Sequence, residues 1–264
     1  MVLHYRSEGI EGPPILLVHG FPETSLAFRR LMPLLARNHR VFAADLRGFG
    51  DSEIAPDDFD SAAAAADLHE LIEHLGVGPV HLTGQDISGA AVVRLAAAHP
   101  DDLLSLTAIE MGLAGFGLEA LADVTHGGTW HIGVMAAPGV PELMLAGKER
   151  EFLTMILGTE PAEEVVRAYA RPGGWRGAAG LYRSMLREGD ELKGLRLTVP
   201  VLAVGAGTGD FTSGTMARVA AGEFRSARIG GGHYAATDAP GELAEVLLDF
   251  YARNRFEVTR SGPS

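Results

Sequence analysis

The stretch Val80-His81-Leu82-Thr83-Gly84-Gln85-Asp86-Ile87-Ser88-Gly89-Ala90 decides how this chain is read. It opens as a short apolar run, the pattern of a buried strand, and passes without a spacer into the small residues of a helix start. Gly84 and Ser88 stand two places before and two places after Asp86. Small residues at that spacing suit a tight strand-to-helix turn that presents its central side chain, because larger neighbours would not fit. A carboxylate there is ionised at neutral pH without a base, and the helix N-terminus behind it favours negative charge by about 0.3–1 kcal/mol. Attack on an ester or amide carbonyl would give a mixed anhydride that reverts. Attack on an sp3 carbon with a strained or good leaving group gives an alkyl ester, so the turn points to epoxides or alkyl halides. The competing reading is an Asp that only caps a helix after a strand.

Composition narrows the classes. The chain has 264 residues, 47% of them hydrophobic, enough for one large domain with an inserted segment. No apolar run reaches the roughly 20 residues that span a bilayer, and Met1-Val2-Leu3-His4-Tyr5-Arg6 lacks the apolar core of a secretory signal. The absence of cysteine excludes disulfides and thiolate chemistry and makes the cytoplasm the simplest expected compartment. A net charge of −12 argues against nucleic acid or an anionic membrane as partner. The ten histidines form no metal-ligand motif; His69 and His74 are read as surface residues, and neither a metal nor an organic cofactor is expected.

Apolar periodicity alternates between strands and helices. Strands are expected over Pro14–Gly20, Arg40–Asp45, Pro79–Gly84, Leu103–Ile109, Pro200–Val204 and Phe224–Ile229, and a helix over Ser61–Leu75 with Gly76 as its stop. Leu243, Val246, Leu247 and Phe250 stripe a closing helix. This alternation predicts an α/β fold with a mostly parallel sheet flanked by helices. From Met111 to Leu195 the rhythm breaks into helix-like pieces at Pro141–Leu157, Ala162–Ala170 and Gly177–Arg187, punctuated by Gly and Pro. The division expected is a core of residues 1–110 and 196–258, a helical lid of residues 111–195, and a frayed tail of residues 259–264.

Four further motifs agree with Asp86. His19-Gly20-Phe21-Pro22 ends the first strong strand, where the backbone N–H of Phe21, with that of Ile87, can bind a developing oxyanion, a contribution of about 10²–10³ in rate per donor; His19 itself is read as structural. Gly230-Gly231-Gly232-His233 follows the last strand and delivers a base late in the chain, in the order nucleophile, acid, histidine. Two acids compete to orient His233: Glu110, at a strand end, is preferred for rigidity over Asp210, in the Gly/Thr-rich loop after a later strand. In the lid, His131 and Tyr182 are candidate donors for a leaving oxygen, although aromatic residues at helical spacing also serve as packing.

With these residues placed, the chain from Ile15 to about Phe250 resembles the α/β-hydrolase superfamily, and within it the epoxide hydrolase branch. His19-Gly20-Phe21-Pro22 matches that branch's HGxP motif, and Asp45-Leu46-Arg47-Gly48-Phe49-Gly50-Asp51-Ser52 its D-x-R-G-x-G-x-S turn. Trp130-His131, Ala146-Gly147-Lys148-Glu149-Arg150, Tyr169-Ala170-Arg171-Pro172-Gly173 and Leu181-Tyr182-Arg183 resemble the lid of a bacterial subgroup. The resemblance implies Asp86 as nucleophile, Glu110 as acid, His233 as base, and His131 with Tyr182 as the ring-opening pair. It departs from the family at Gln85, Ile87 and Ser88, and the short segment before Pro14 predicts the loss of one or two edge strands.

Three functions follow from this reading. The first is hydrolysis of an epoxide to a vicinal diol through an ester on Asp86. The apolar lid residues Leu113, Phe116, Leu118, Leu121, Met135, Leu143, Met144 and Leu145 make the expected partners a small hydrophobic epoxide and water; a homodimer is compatible with the sequence. The second is dehalogenation by the same nucleophile. A halide needs N–H donors, yet Ile87 has none in its side chain, Trp130 and Trp175 are the only indoles, and Arg94 is the only nearby arginine where fluoroacetate-type relatives pair two. The third is a non-hydrolytic ligand-binding or cyclase-like role, which a fold alone never excludes.

Overall fold

The computed structural model describes residues 1–57, 59–207 and 209–254. Seven strands form one sheet: β1 (Tyr5–Glu8), β2 (Pro14–Val18), β3 (Arg40–Ala44), β4 (Val80–Gln85), β5 (Leu103–Ile109), β6 (Val201–Gly205) and β7 (Phe224–Arg228), in the spatial order β1-β3-β2-β4-β5-β6-β7. All pairings are parallel except β1 with β3. The segment before Pro14 therefore keeps one antiparallel edge strand, which the sequence reading had not placed. The expected tail, residues 259–264, lies outside the described residues, as do residues 255–258.

Alternation along the strands builds two cores, as a sheet covered on both faces requires. Leu16 and Val18 of β2 join Val80 and Leu82 of β4 on one face. Ile15 and Leu17 point the other way, with Ile109 and Val204, against Phe28 and the Leu243, Leu247 and Phe250 stripe of the helix Pro240–Arg253. The first face is covered by the helices Ser61–Leu75 and Gly89–Ala98. The first of these is capped by Asp60, whose side chain accepts from the Ala63 N–H, and ends at Gly76 with φ of 60°, the left-handed stop its sequence signalled.

Between β5 and β6 runs a helical insertion. Where the sequence suggested one helix over Pro141–Leu157, the chain forms two, Val140–Leu145 and Glu149–Leu157, because Gly147 turns with φ of 79° between them. The piece expected over Gly177–Arg187 likewise splits into Gly174–Ala178 and Gly180–Met185. Gly177 packs against the backbone of Gly48, where a Cβ would sit 2.6 Å from the Gly48 oxygen. The helix Glu163–Ala170 follows its expected span.

Candidate active site

Asp86 follows β4 directly and adopts φ of 51°; Glu110, directly after β5, adopts φ of 46°. Among the described residues these are the non-glycine positions with positive φ. Such conformations cost of order 1–3 kcal/mol and persist where the surroundings over-determine them. The turn is tight on all sides. A Cβ on Gly20 would lie 2.6 Å from the Asp86 Cβ, and one on Gly84 2.7 Å from Val92. Ser88 donates its hydroxyl to the Gln85 carbonyl at 2.7 Å, closing the turn from within.

The Asp86 carboxylate is held by backbone at one oxygen and faces His233 with the other. Phe21 N–H donates to Oδ1 at 2.7 Å, and the Ile87 N–H adds a second backbone bond. Burial alone would raise the carboxyl pKa, but His233 and these N–H groups outweigh it and lower it. Oδ2 lies 3.3 Å from Nε2 of His233, whose Nδ1 lies 3.2 Å from Oε2 of Glu110. Glu110 is buried and its other oxygen accepts the Ala206 N–H. Burial would lower the His233 pKa, but hydrogen bonds and charge from Asp86 and Glu110 prevail and raise it to about 10. Asp210 is elsewhere: its exposed carboxylate faces Arg228 at 3.6 Å.

His131 and Tyr182 of the insertion both pack on Phe21. The His131 ring stacks at 5.7 Å between centroids, and Tyr182 meets Phe21 edge-on at 5.1 Å. Burial holds the Tyr182 phenol well above its ordinary pKa and lowers that of His131. Both therefore stand near neutral pH as uncharged donors, one O–H and one ring N–H. Asp86, His233, His131 and Tyr182 line one cavity of about 410 Å³, whose other walls are mainly Ile87, Leu113, Leu118, Leu121, Ile132, Met185 and Phe211. Of the other apolar residues expected there, Leu143 and Met144 face solvent, Met135 and Leu145 are buried in the core, and Phe116 packs under Arg218.

His19 has a different task. Its Nε2 accepts the Leu46 N–H at 3.1 Å, so Nδ1 carries the proton given to the Gly20 carbonyl at 2.8 Å. It ties the Phe21 loop to the loop after β3. Sequence reasoning passed over Glu23, which is 6% exposed and accepts from Gln85 Nε2 at 3.0 Å. Burial, then the Asp86 charge, pushes its carboxyl up to about 8, so it carries a proton at neutral pH. A charged residue just after His19-Gly20-Phe21-Pro22 was the available signal.

His74 is exposed, but His69 is half-buried. His69, His99 and Asp102 form, among the described residues, a group whose ligand atoms lie within 4.8 Å of one another. The two rings stack 3.7 Å apart at 17°, and His69 Nδ1 meets Asp102 at 2.6 Å. Nearly parallel rings direct their lone pairs along lines that do not converge on one ion, so the group is built as a hydrogen-bonded stack.

A carboxylate on a tight turn after β4, a second after β5 and a histidine after β7, beneath a helical insertion, form the arrangement expected of an α/β-hydrolase fold. Comparison with known proteins agrees: the family described as alpha/beta hydrolase fold matches residues 13–130, and the chain belongs to that family. It is 29% identical to a soluble epoxide hydrolase of Corynebacterium sp. (strain C12), over 95% of this chain and 93% of that protein. It is also 29% identical to a fluoroacetate dehalogenase of Burkholderia sp., over 94% of this chain and 90% of that one. The crystal structure of Cfl2 from Burkholderia cenocepacia superposes with a TM-score of 0.83 at 30% identity, covering 94% of this chain and 92% of that one. The protein is an epoxide hydrolase-like enzyme of the α/β-hydrolase fold. Among the described residues no helix is long and apolar enough to cross a membrane.

Proposed function

We propose that the protein hydrolyses an uncharged, hydrophobic epoxide to a vicinal diol, with the helical insertion acting as a lid. The observation that carries this reading is one apolar cavity holding both a carboxylate nucleophile and two neutral oxygen-directed donors, Asp86 with Tyr182 and His131. Asp86 Oδ2 attacks a ring carbon and the carbon–oxygen bond breaks. The departing oxygen develops charge against the Tyr182 O–H and the His131 N–H and takes up a proton there. The ester formed is no longer an anion. The pKa of His233 then falls because the Asp86 charge is gone, its proton passes to the lid donor deprotonated in ring opening, and the neutral imidazole becomes the base that takes a proton from water. Water adds to the ester carbonyl, whose oxygen is held by the Phe21 and Ile87 N–H groups. Collapse releases the diol as its alkoxide, which takes a proton from His233, and the Asp86 carboxyl returns its own proton to His233 to restore the starting pair.

The dehalogenase alternative finds weaker support in the donors. Trp175 Nε1 donates to Glu149 at 3.2 Å, and neither Trp175 nor Trp130 lines the cavity. Arg94 is committed to Glu191 at 2.6 Å and to the Ser61 hydroxyl at 2.7 Å, and among the described residues no arginine or lysine lines the cavity to hold a carboxylate substrate. The reading is tested by intact-mass spectrometry of His233→Gln with an epoxide: an ester adduct should accumulate and be lost on Asp86→Ala. No adduct with an epoxide that the wild type turns over would remove Asp86 as nucleophile. Sustained halide release faster than turnover of any epoxide would favour the dehalogenase reading instead.

A further inference from the structure

The cavity lies on one side of the nucleophile only. In the sheet β4 sits between β2 and β5, and the cavity walls come from the β5 and β6 side: Gly112 and Leu113 after β5, Gly207 and Phe211 after β6, and Leu118 and Leu121 of the insertion. Nothing that follows β2 contributes. On that side Phe21 sits against Asp86 and forms edge contacts with Phe152 at 6.4 Å and Tyr169 at 6.2 Å. Trp175 closes behind both, 5.2 Å from Phe152 and 4.7 Å from Tyr169. All four side chains are 2–3% exposed, so this wall has no room for a substrate group without repacking.

The two donors stand at the same wall, since His131 and Tyr182 both pack on Phe21. An epoxide whose oxygen reaches them while a ring carbon lies over Asp86 has space for a substituent only toward β5 and β6. We infer that the enzyme is selective for terminal epoxides, carrying one apolar arm, over epoxides substituted on both ring carbons. The inference rests on the epoxide reading above and narrows it. A single methylene that a pocket cannot accept changes kcat/KM by about 10–200-fold, and the closed wall should impose a penalty of that size.

The test compares kcat/KM of the wild-type enzyme for two isomers of equal carbon count: a straight-chain epoxyoctane with the ring at the chain end, and the trans isomer with the ring one carbon inward. A preference for the terminal isomer of at least about tenfold supports the inference, and narrowing of that ratio in Phe152→Leu, which opens the wall without removing a whole side chain, ties it to the aromatic cluster. Turnover of both isomers within threefold of each other overturns the one-armed site while leaving the epoxide reading standing. Turnover of neither, with no adduct on Asp86 in His233→Gln, overturns the epoxide reading and this inference with it.

Discussion

At the scale of single residues, the proposed function divides the site between two half-reactions. Tyr182 and His131 should matter while the ring oxygen leaves, and Glu110 and His233 while the ester is cleaved. Tyr182→Phe and His131→Phe should each slow alkylation of Asp86 by about 10²–10⁴-fold, with ester hydrolysis much less affected; single-turnover kinetics separates the steps, and unchanged alkylation in both variants would reduce the pair to packing. Glu110→Gln should let the ester accumulate while alkylation stays largely intact, because Glu110 orients and charges His233 from its far side. Asp210→Asn should behave as wild type, since its carboxylate faces Arg228 at 3.6 Å in solvent; a strong loss of ester hydrolysis there would reverse the assignment. Asp86, Glu110 and His233 were legible in the sequence because each ends or closely follows a recognisable strand. Glu23 was not, because its burial depends on packing around the β2 loop that no local pattern reveals.

Among the elements, the long regular pieces were easiest to read and the insertion hardest. The helix Ser61–Leu75 shows an apolar stripe, an Asp cap and a Gly stop within its own sequence. The helices of the insertion are short; the break at Gly147 is a local left-handed turn, while the stretch before Ala179 answers to a tertiary approach, Gly177 on Gly48. The β1 edge strand was missed because its burial is slight. A buried clasp ties the insertion's last helix to the core. Glu188 accepts the Ser61 N–H at 3.1 Å and the Ser61 hydroxyl, and lies 3.5 Å from Arg94, which also holds Glu191. Glu188→Ala should destabilise the fold by about 3 kcal/mol, the low end for breaking a buried pair, since Arg94 keeps its exposed partner. Chemical denaturation measures this, and a change below about 0.5 kcal/mol, the scale of an ordinary surface substitution, would mean the clasp carries no stability.

For the whole molecule, two buried groups shape stability against pH. Glu23 is raised from 4.5 to about 8, so between those values the unfolded chain has released a proton that the folded one keeps. Stability should fall as pH rises through that window, by up to roughly 1.4 kcal/mol per pH unit. His233 is raised from 6.5 to about 10; its stabilising contribution is complete below 6.5 and is lost as pH climbs toward 10. Both groups therefore act in the same direction above 6.5. Between about 5 and 6.5 Glu23 is opposed by His131 and His19, whose pKa values burial lowers so that the unfolded chain holds protons the folded one lacks. Glu23→Gln should therefore make the slope of unfolding free energy against pH across that lower interval more positive than in the wild type, measured at several pH values. An unchanged slope there would mean that Glu23 ionises normally in the folded protein.

Asp86, Glu110 and His233 hang from β4, β5 and β7, and the register that pairs Gln85 with Ile109 brings Asp86 and Glu110 out side by side. The oxygen-directed donors alone come from the segment between β5 and β6. On the proposed reading, substitutions within that segment can therefore alter the assistance given to a departing oxygen while the residues that follow the sheet strands stay in place.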